Sequence, residues 1–83
     1  HIDRIAMRVA EIMQIEPAQV WAGGKQAKLV QARSLLCYWA TSELGISQVG
    51  LSQQLRVSQA AVSLSVARGR KIASQNSYQI GNL

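Results

Sequence analysis

Residues 51–63 have the sequence Leu51-Ser-Gln-Gln-Leu-Arg-Val-Ser-Gln-Ala-Ala-Val-Ser63, in which apolar residues recur at helical spacing on both sides of a short break. Leu51 and Leu55 lie one helical turn apart, and Val62 forms a similar pair with Val66 further along the chain. Each segment therefore presents one apolar stripe. Two such stripes on neighbouring segments are buried most simply against a shared core.

Serine residues precede both segments. Ser47 and Ser58 are good N-caps, because a serine hydroxyl accepts a hydrogen bond from a backbone N–H that the first helical turn leaves free. We therefore predict two helices, at about 47–55 and about 58–71. The connection between them is short and makes the helices cross steeply, which is the pattern of a helix-turn-helix. In such a motif the first turn of the second helix is exposed.

Charge distinguishes two interpretations of this motif, a DNA-binding helix-turn-helix and a helical hairpin inside a bundle. The chain has 9 Lys and Arg against 4 Asp and Glu, a formal charge of +5 and an isoelectric point of about 10.2, as is typical of nucleic-acid-binding domains. The last acidic residue is Glu43. The charged residues after it are Arg56, Arg68, Arg70 and Lys71. The distribution therefore favours DNA binding.

Length and composition limit the remaining possibilities. With 83 residues, of which 48% are hydrophobic, the chain is long enough for one domain with a core but too short for an additional enzyme cleft. The single cysteine, Cys37, excludes an internal disulfide, and its apolar neighbours indicate a core residue. No apolar run has membrane-spanning length, and no signal-peptide pattern is present. We expect a soluble, cytoplasmic domain that belongs to a longer protein.

Helical periodicity predicts three further helices ahead of the motif. The first runs to about residue 14, and the second is a short helix that begins at Pro17 and ends at Gly23-Gly24. The third runs from about 25 or 26 to 44, with Gly45 as its C-terminal stop. This helix is apolar on so much of its girth that it must be packed from more than one side. Its main stripe consists of Leu29, Ala32, Leu36, Ala40 and Leu44.

The end of the chain lacks these patterns. After about residue 74 the sequence has no hydrophobic period and no charged residue. Terminal segments of this kind are commonly frayed. We therefore predict a folded helical domain at 1–73 and a flexible tail at 74–83.

Several pieces of the chain occur in the same order in a known family. They are Arg8-Val-Ala-Glu11, Val20-Trp21, the basic loop from Lys25 to Lys28, Ala32-Arg33 with Tyr38 and Ala40, Leu44, Ser47 and Val62-Ser-Leu-Ser-Val66. In this order they resemble the C-terminal DNA-binding domain of the bacterial replication initiator DnaA. The resemblance covers about residues 2–72. It implies an all-α, Trp-repressor-like fold, a compact multi-helix bundle with a C-terminal helix-turn-helix.

One departure from this family concerns the target. The hallmark Gly-Gly-Arg-Asp-His-Thr-Thr-Val of the initiator is replaced here by Leu55-Arg-Val-Ser-Gln-Ala-Ala-Val62. The Arg, Asp and His of the hallmark are therefore missing, which implies a target other than the replication-origin box. A similar domain is appended to some transposases of the REP-associated tyrosine type.

The first turns of the second motif helix hold the candidates for contact with base edges in the major groove. Gln59 is the foremost, because its amide can pair with N6 and N7 of adenine; the alternative is a solvated surface glutamine. Ser58 is a cap that can also contact DNA, Ala60 can meet a thymine methyl group, and Ser63 can reach a base or sugar. Leu64 fits either this surface or the core. The inward face is expected to consist of Ala61, Val62, Ser65 and Val66.

Basic and amide side chains around this helix are candidates for phosphate contacts, which fix the register without recognising sequence. The resemblance implies such contacts in the basic loop and the long helix, and the charge pattern extends them to the far end of the second motif helix. For each, the alternative is a purely solvated side chain. The candidates are Lys25, Lys28, Arg33, Gln48, Arg56, Arg68, Arg70 and Lys71.

The sequence offers no catalytic constellation. Hydrolytic or transfer chemistry needs a nucleophile with a base, paired carboxylates or a metal site, whereas the chain has one His at its first position, Cys37 in an apolar run and four scattered acids. We expect no enzyme activity in this fragment and no cofactor, metal, membrane or small-molecule substrate. Double-stranded DNA is the expected partner. A protein-interaction module is the main alternative, RNA binding a weaker one, and the oligomeric state is open.

Overall fold

Five α-helices follow one another in residues 1–22 and 24–81, the part of the chain that the computed structural model describes. Over these residues the predicted all-α fold is confirmed, and no helix is long and apolar enough to cross a bilayer. Of the predicted Gly23-Gly24 stop, Gly23 lies outside the described residues. The helices are α1 (Ile2–Met13), α2 (Pro17–Ala22), α3 (Ala27–Leu44), α4 (Gln48–Leu55) and α5 (Gln59–Asn76).

The helix α1 buries one face, as its periodicity predicts. Ile5 and Val9 are fully buried on this face, and α1 packs against both α2 and α3. It ends at Gln14, which adopts a left-handed conformation with φ of 57°. Pro17 is the first residue of α2, where its missing N–H costs no hydrogen bond. Val20 of α2 is fully buried and closes the core on this side.

The helix α3 lies at the centre of the fold, because α1, α2 and α5 all pack against it. The prediction that it is packed from more than one side is therefore confirmed. Leu44 departs from its predicted place in the apolar stripe, since it is 38% exposed. It is the last residue of α3, and the chain turns away at Gly45, which has a left-handed φ of 67°. Buried residues of α3 are Ala32, Ser34, Leu35, Leu36, Cys37, Trp39 and Ala40.

The most extensive helix contact joins α3 and α5, and it has its closest approach at Gly69. A Cβ atom at Gly69 would lie 2.1 Å from the carbonyl oxygen of Ser34 and 2.8 Å from the Cβ of Tyr38. Gly69 and Ser34 are both buried, and the Ser34 hydroxyl donates to the carbonyl of Val30 at 2.9 Å. Only a hydrogen atom therefore fits between the two backbones at this crossing.

The helices α4 and α5 pack against each other across a three-residue connection, residues 56–58, as the helix-turn-helix pattern predicts. Both serine caps are confirmed. The Ser47 Oγ accepts from the Gly50 N–H at 3.0 Å, and the Ser58 Oγ accepts from the Ala61 N–H at 3.1 Å. The second helix starts and ends later than about 58–71, since α5 covers Gln59–Asn76.

The described part of the predicted tail, residues 74–81, packs against the helices, and residues 82–83 lie outside the described residues. Residues 74–76, which we expected to belong to a tail, are the last residues of α5. Beyond them, Tyr78 and Ile80 are half-buried and pack against the core. The guanidinium of Arg8 in α1 donates to the carbonyl oxygen of Gln79 at 3.1 and 3.3 Å. Residues 78–80 are thus held by Arg8 and by packing against the core, a contact that sequence periodicity does not predict.

Candidate nucleic-acid interface

The N-terminal half of α5 has one buried and one exposed side. Val62 is fully buried, and Ala61, Ser65 and Val66 are half-buried against the rest of the protein. The expected inward face is thus confirmed. Leu64, for which two positions were open, is 63% exposed and does not belong to the core. The exposed side consists of Ser58, Gln59, Ala60, Ser63 and Leu64.

Helical spacing arranges the exposed side of α5 in two rows. Residues four and seven positions apart lie on the same side of a helix. One row therefore contains Gln59, Ser63 and Arg70, and the next contains Ala60, Leu64 and Lys71. All six residues are exposed. Each row begins with uncharged side chains at the start of α5 and ends with a cation about three turns later.

Ser58 has a defined structural role that leaves part of its hydroxyl free. Its oxygen accepts the N–H of Ala61, which stabilises the start of α5 by about 1 kcal/mol. The hydroxyl proton remains available to an outside acceptor. The cap also leaves the N–H groups of Gln59 and Ala60 without helical partners, as in any helix start. The first turn of α5 therefore presents several hydrogen-bond donors to the outside.

The candidate cations are mostly exposed and are not neutralised by neighbours. In the part of the chain that the structure describes, the one ion pair between side chains that are charged at neutral pH joins Arg8 to Glu11. The helices α4 and α5 contain no Asp or Glu at all. The positive charge of this region is therefore free to act on an outside anion. The exposed candidate cations are Lys25, Lys28, Arg56, Arg68, Arg70 and Lys71, and the amide candidate Gln48 is exposed as well.

The acidic residues lie elsewhere. Asp3 and Glu11 belong to α1, Glu16 precedes α2, and Glu43 lies in the last turn of α3. The cations Lys25 and Lys28 lie at the start of α3, whereas the remaining exposed cations beyond α3 lie on or next to the helix-turn-helix. The chain therefore separates an acidic beginning from a basic helix-turn-helix.

Arg33 differs from the other candidate cations because it is half-buried. Its Nε atom is buried without a hydrogen-bond partner, a feature shown by no other side-chain nitrogen or oxygen among the described residues. Arg33 is close enough to Cys37, one turn further along α3, for its charge to act on the thiol. Only the outer part of this guanidinium is in a position to meet a phosphate.

Cys37 is a buried thiol of the α3–α5 contact. Burial raises the pKa of Cys37 to about 11, and the charge of Arg33 and a hydrogen bond with Ser65 oppose this shift. The thiol is fully buried and protonated at neutral pH. The prediction that Cys37 is a core residue is thus confirmed.

Arg56 occupies an unusual backbone conformation for its residue type. It ends α4 with φ of 58° and ψ of 44°, in the left-handed region, and its N–H donates to the carbonyl of Ser52. Glycine adopts this conformation without steric cost, whereas other L-residues pay about 1–2 kcal/mol. The exposed side chain of Arg56 is thus held at the turn of the helix-turn-helix at a cost to stability.

The metal-ligating residue types do not come together within residues 1–22 and 24–81, where no three His, Cys, Asp or Glu side chains are close enough to hold an ion. His1 caps α1, since its Nδ1 atom accepts from the Asp3 N–H at 3.3 Å. Cys37 is buried in the core.

The sequence analysis did not identify Gly69, although a glycine inside an otherwise strong helix is a sign of close packing.

Comparison of the chain with models of known protein families, with curated proteins and with solved structures gave no match. The function is therefore inferred from the surface of α5 and its surroundings.

Proposed function

We propose that this chain binds double-stranded DNA through its helix-turn-helix, with α5 in the major groove. The observation that carries the proposal is the exposed side of α5, where uncharged side chains precede unpaired cations in each row. In helix-turn-helix proteins the first turns of the second helix contact base edges. The surface of α5 has the size, charge and accessibility for such contacts.

The base contacts are proposed for Ser58, Gln59, Ala60 and Ser63. The exposed amide of Gln59 pairs with the N6 and N7 atoms of adenine, a contact that discriminates by about 1–3 kcal/mol against the wrong base. Ala60 and Ser63 are small, which allows the helix backbone to lie deep in the groove. The domain therefore has a sequence preference in which Gln59 contributes most.

The phosphate contacts are proposed for seven cations and one amide. Arg68, Arg70 and Lys71 are exposed in the C-terminal half of α5, and Lys25 and Lys28 are exposed at the start of α3. Gln48, Arg56 and the outer part of Arg33 complete the set. If about four of these groups displace condensed counterions, the logarithm of the affinity falls with the logarithm of the salt concentration at a slope of about −4.

The larger context of the domain follows from the resemblance to the initiator family. We propose that the domain is part of a cytoplasmic bacterial protein, related either to DnaA or to the REP-associated tyrosine transposases. A single module of this size covers only about 600–1,000 Å² of interface. The parent protein or a second copy is then needed for tight targeting.

A salt titration tests the proposal. Fluorescence anisotropy of a labelled random duplex, measured from low to moderate salt, should show binding that weakens at a slope of about −4. The variant Arg68→Gln should flatten the slope by about one unit. Arg4→Gln is the matched control, since it removes one exposed charge from α1, where we place no DNA contact. Absence of duplex binding at low salt would refute the proposal.

One observation favours a second candidate, a protein-interaction module. Leu64 is 63% exposed in the middle of the same surface, and an exposed leucine beside Ala60 suits an apolar partner. In this case the variant Leu64→Ser abolishes partner binding, and no duplex binds at any salt concentration. The salt titration therefore separates the two candidates.

A further inference from the structure

A cleft lies between the C-terminal ends of α3 and α5, away from the first turns of α5. Its volume is about 720 Å³, which is within the range of small-molecule sites. Residues 78–81 form its third wall, since the chain folds back after α5. The cleft is therefore built from three segments that are distant in sequence.

The walls of the cleft are held in place by the fold. The closest approach of α3 and α5, at Gly69, is one turn before Ala73, which lines the cleft. Residues 78–81 are held by the two hydrogen bonds from Arg8 to the carbonyl of Gln79 and by the bond from the Tyr78 N–H to the Ala73 carbonyl at 2.9 Å. The cleft is thus present before any ligand binds.

Aromatic side chains provide an apolar lining. Tyr38 and Tyr78 are half-buried, and Trp39 is 4% exposed. All three line the cleft. Aromatic rings bind the apolar part of a small ligand and contribute large contact areas with little loss of conformational freedom. The lining therefore suits a ligand with an apolar or aromatic body.

Two opposite charges lie at the edge of the same cleft. Glu43 from α3 and Arg70 from α5 both line it, and they do not form an ion pair with each other. Each side chain is exposed and hydrated in the free protein. A ligand that carries both an ammonium and a carboxylate group satisfies both charges at once, whereas a ligand with one charge satisfies only one of them.

We infer that this cleft binds a small zwitterion with an apolar body, of the chemical class of the hydrophobic α-amino acids. The ammonium group lies against the Glu43 carboxylate, the carboxylate against the Arg70 guanidinium, and the apolar body against Tyr38 and Tyr78. The ligand is bound without turnover. This inference does not require DNA binding, although Arg70 is shared with the proposed phosphate contacts; Glu43, Tyr38 and Tyr78 are not.

An NMR titration of the whole chain tests the inference. Phenylalanine and leucine are the probes, and the reporters are the amides of residues 78–81 and the indole N–H of Trp39. The indole of Trp21, which lies in α2, is an internal control. Saturable shifts are expected at the cleft reporters but not at Trp21.

Analogues and variants then test the two charges. Phenethylamine and 3-phenylpropionate each lack one charge and should bind about twofold to fivefold more weakly than phenylalanine, the effect of one exposed ion pair. Glu43→Gln should remove the advantage of phenylalanine over 3-phenylpropionate, and Arg70→Gln its advantage over phenethylamine. Both residues are exposed, so the fold is unaffected. No saturable shift with either amino acid, or equal binding of the three phenyl compounds, would overturn the inference.

Discussion

The two halves of α5 differ in what surrounds them. The C-terminal half is fixed to α3 at Gly69, with no space for a larger residue at the crossing. The N-terminal half is exposed along Gln59, Ala60 and Ser63, and its inner side alone packs against the protein. We call the C-terminal half of α5 its anchored end and the N-terminal half its presented end. Substitutions in the first half should change binding, and those at the crossing should change stability.

The largest expected effect is at the anchored end. Gly69→Ala places a Cβ 2.1 Å from the Ser34 carbonyl oxygen, so α3 and α5 must separate. We expect a loss of about 3 kcal/mol or more in the free energy of unfolding, because overpacking at a backbone contact exceeds the gain of about 1 kcal/mol from helix propensity. Urea denaturation followed by circular dichroism measures this loss.

Gly50→Ala is the matched control for that variant. Gly50 lies in α4, and its added Cβ would meet the Ser47 Oγ at 3.3 Å, which is a side-chain atom. We expect a change within about 1 kcal/mol for this variant. Equal effects of the two substitutions would show that Gly69 is no special contact.

Features of this fold that depend on neighbouring residues could be predicted from the sequence, whereas contacts between residues distant in sequence could not. Ser47, Ser58 and Gly45 were predicted correctly because caps and stops depend on neighbours within one turn. Gly69 was missed because the partner of a close helix crossing is distant in sequence. The partial burial of Tyr78 was missed for the same reason, because the sequence around it has no hydrophobic period.

The candidate site was likewise predictable only in part. The exposed residues of α5 follow from helical spacing alone, so the outward positions of Gln59 and Ser63 agree with expectation. The partial burial of Arg33 was not predicted, because it depends on how α3 packs in the folded protein. The cleft beside Glu43 was also missed, since it exists only after the chain folds back.

The pH dependence of stability tests the contact between α3 and α5 in a second way. Burial raises the pKa of Cys37 to about 11 from an ordinary value of 9.0, so between these values the unfolded chain loses a proton that the folded chain keeps. The stabilisation is therefore complete below pH 9 and is lost as the pH rises to about 11, by at most about 1.4 kcal/mol per pH unit. Denaturation of wild type and Cys37→Ala across this range measures it. Parallel curves would contradict the burial of the thiol.

At the presented end, Gln59→Ala should change preference and leave stability intact. We expect discrimination at one base pair to fall by about 1–3 kcal/mol while affinity for unrelated duplexes changes little. Selection of bound sequences from random duplexes, for wild type and variant, measures the change. Gln75→Ala is the control, because Gln75 is an exposed glutamine in the last turn of the same helix. Equal losses on every sequence would exclude a base contact by Gln59.

The smallest expected effect lies at the turn before α5. Arg56→Gly should raise the free energy of unfolding by about 0.5–1 kcal/mol, since glycine adopts the left-handed φ of 58° with less strain. The same variant should weaken binding of all duplexes alike if Arg56 contacts phosphate. Arg56→Lys keeps both the charge and the strain and should change neither quantity much. Thermal denaturation and anisotropy measure the pair, and a less stable glycine variant would contradict the strain.

The most direct test of DNA binding by α5 is to map which residues of the protein contact the duplex. A uniformly labelled sample is titrated with duplex DNA at low salt, and the amide and side-chain shifts are followed by NMR. We expect the largest changes at Ser58, Gln59, Ala60 and Ser63, smaller ones at the candidate cations, and none along the buried face of α1. Shifts centred on α1, or no shifts with any duplex, would contradict a DNA-binding role for α5.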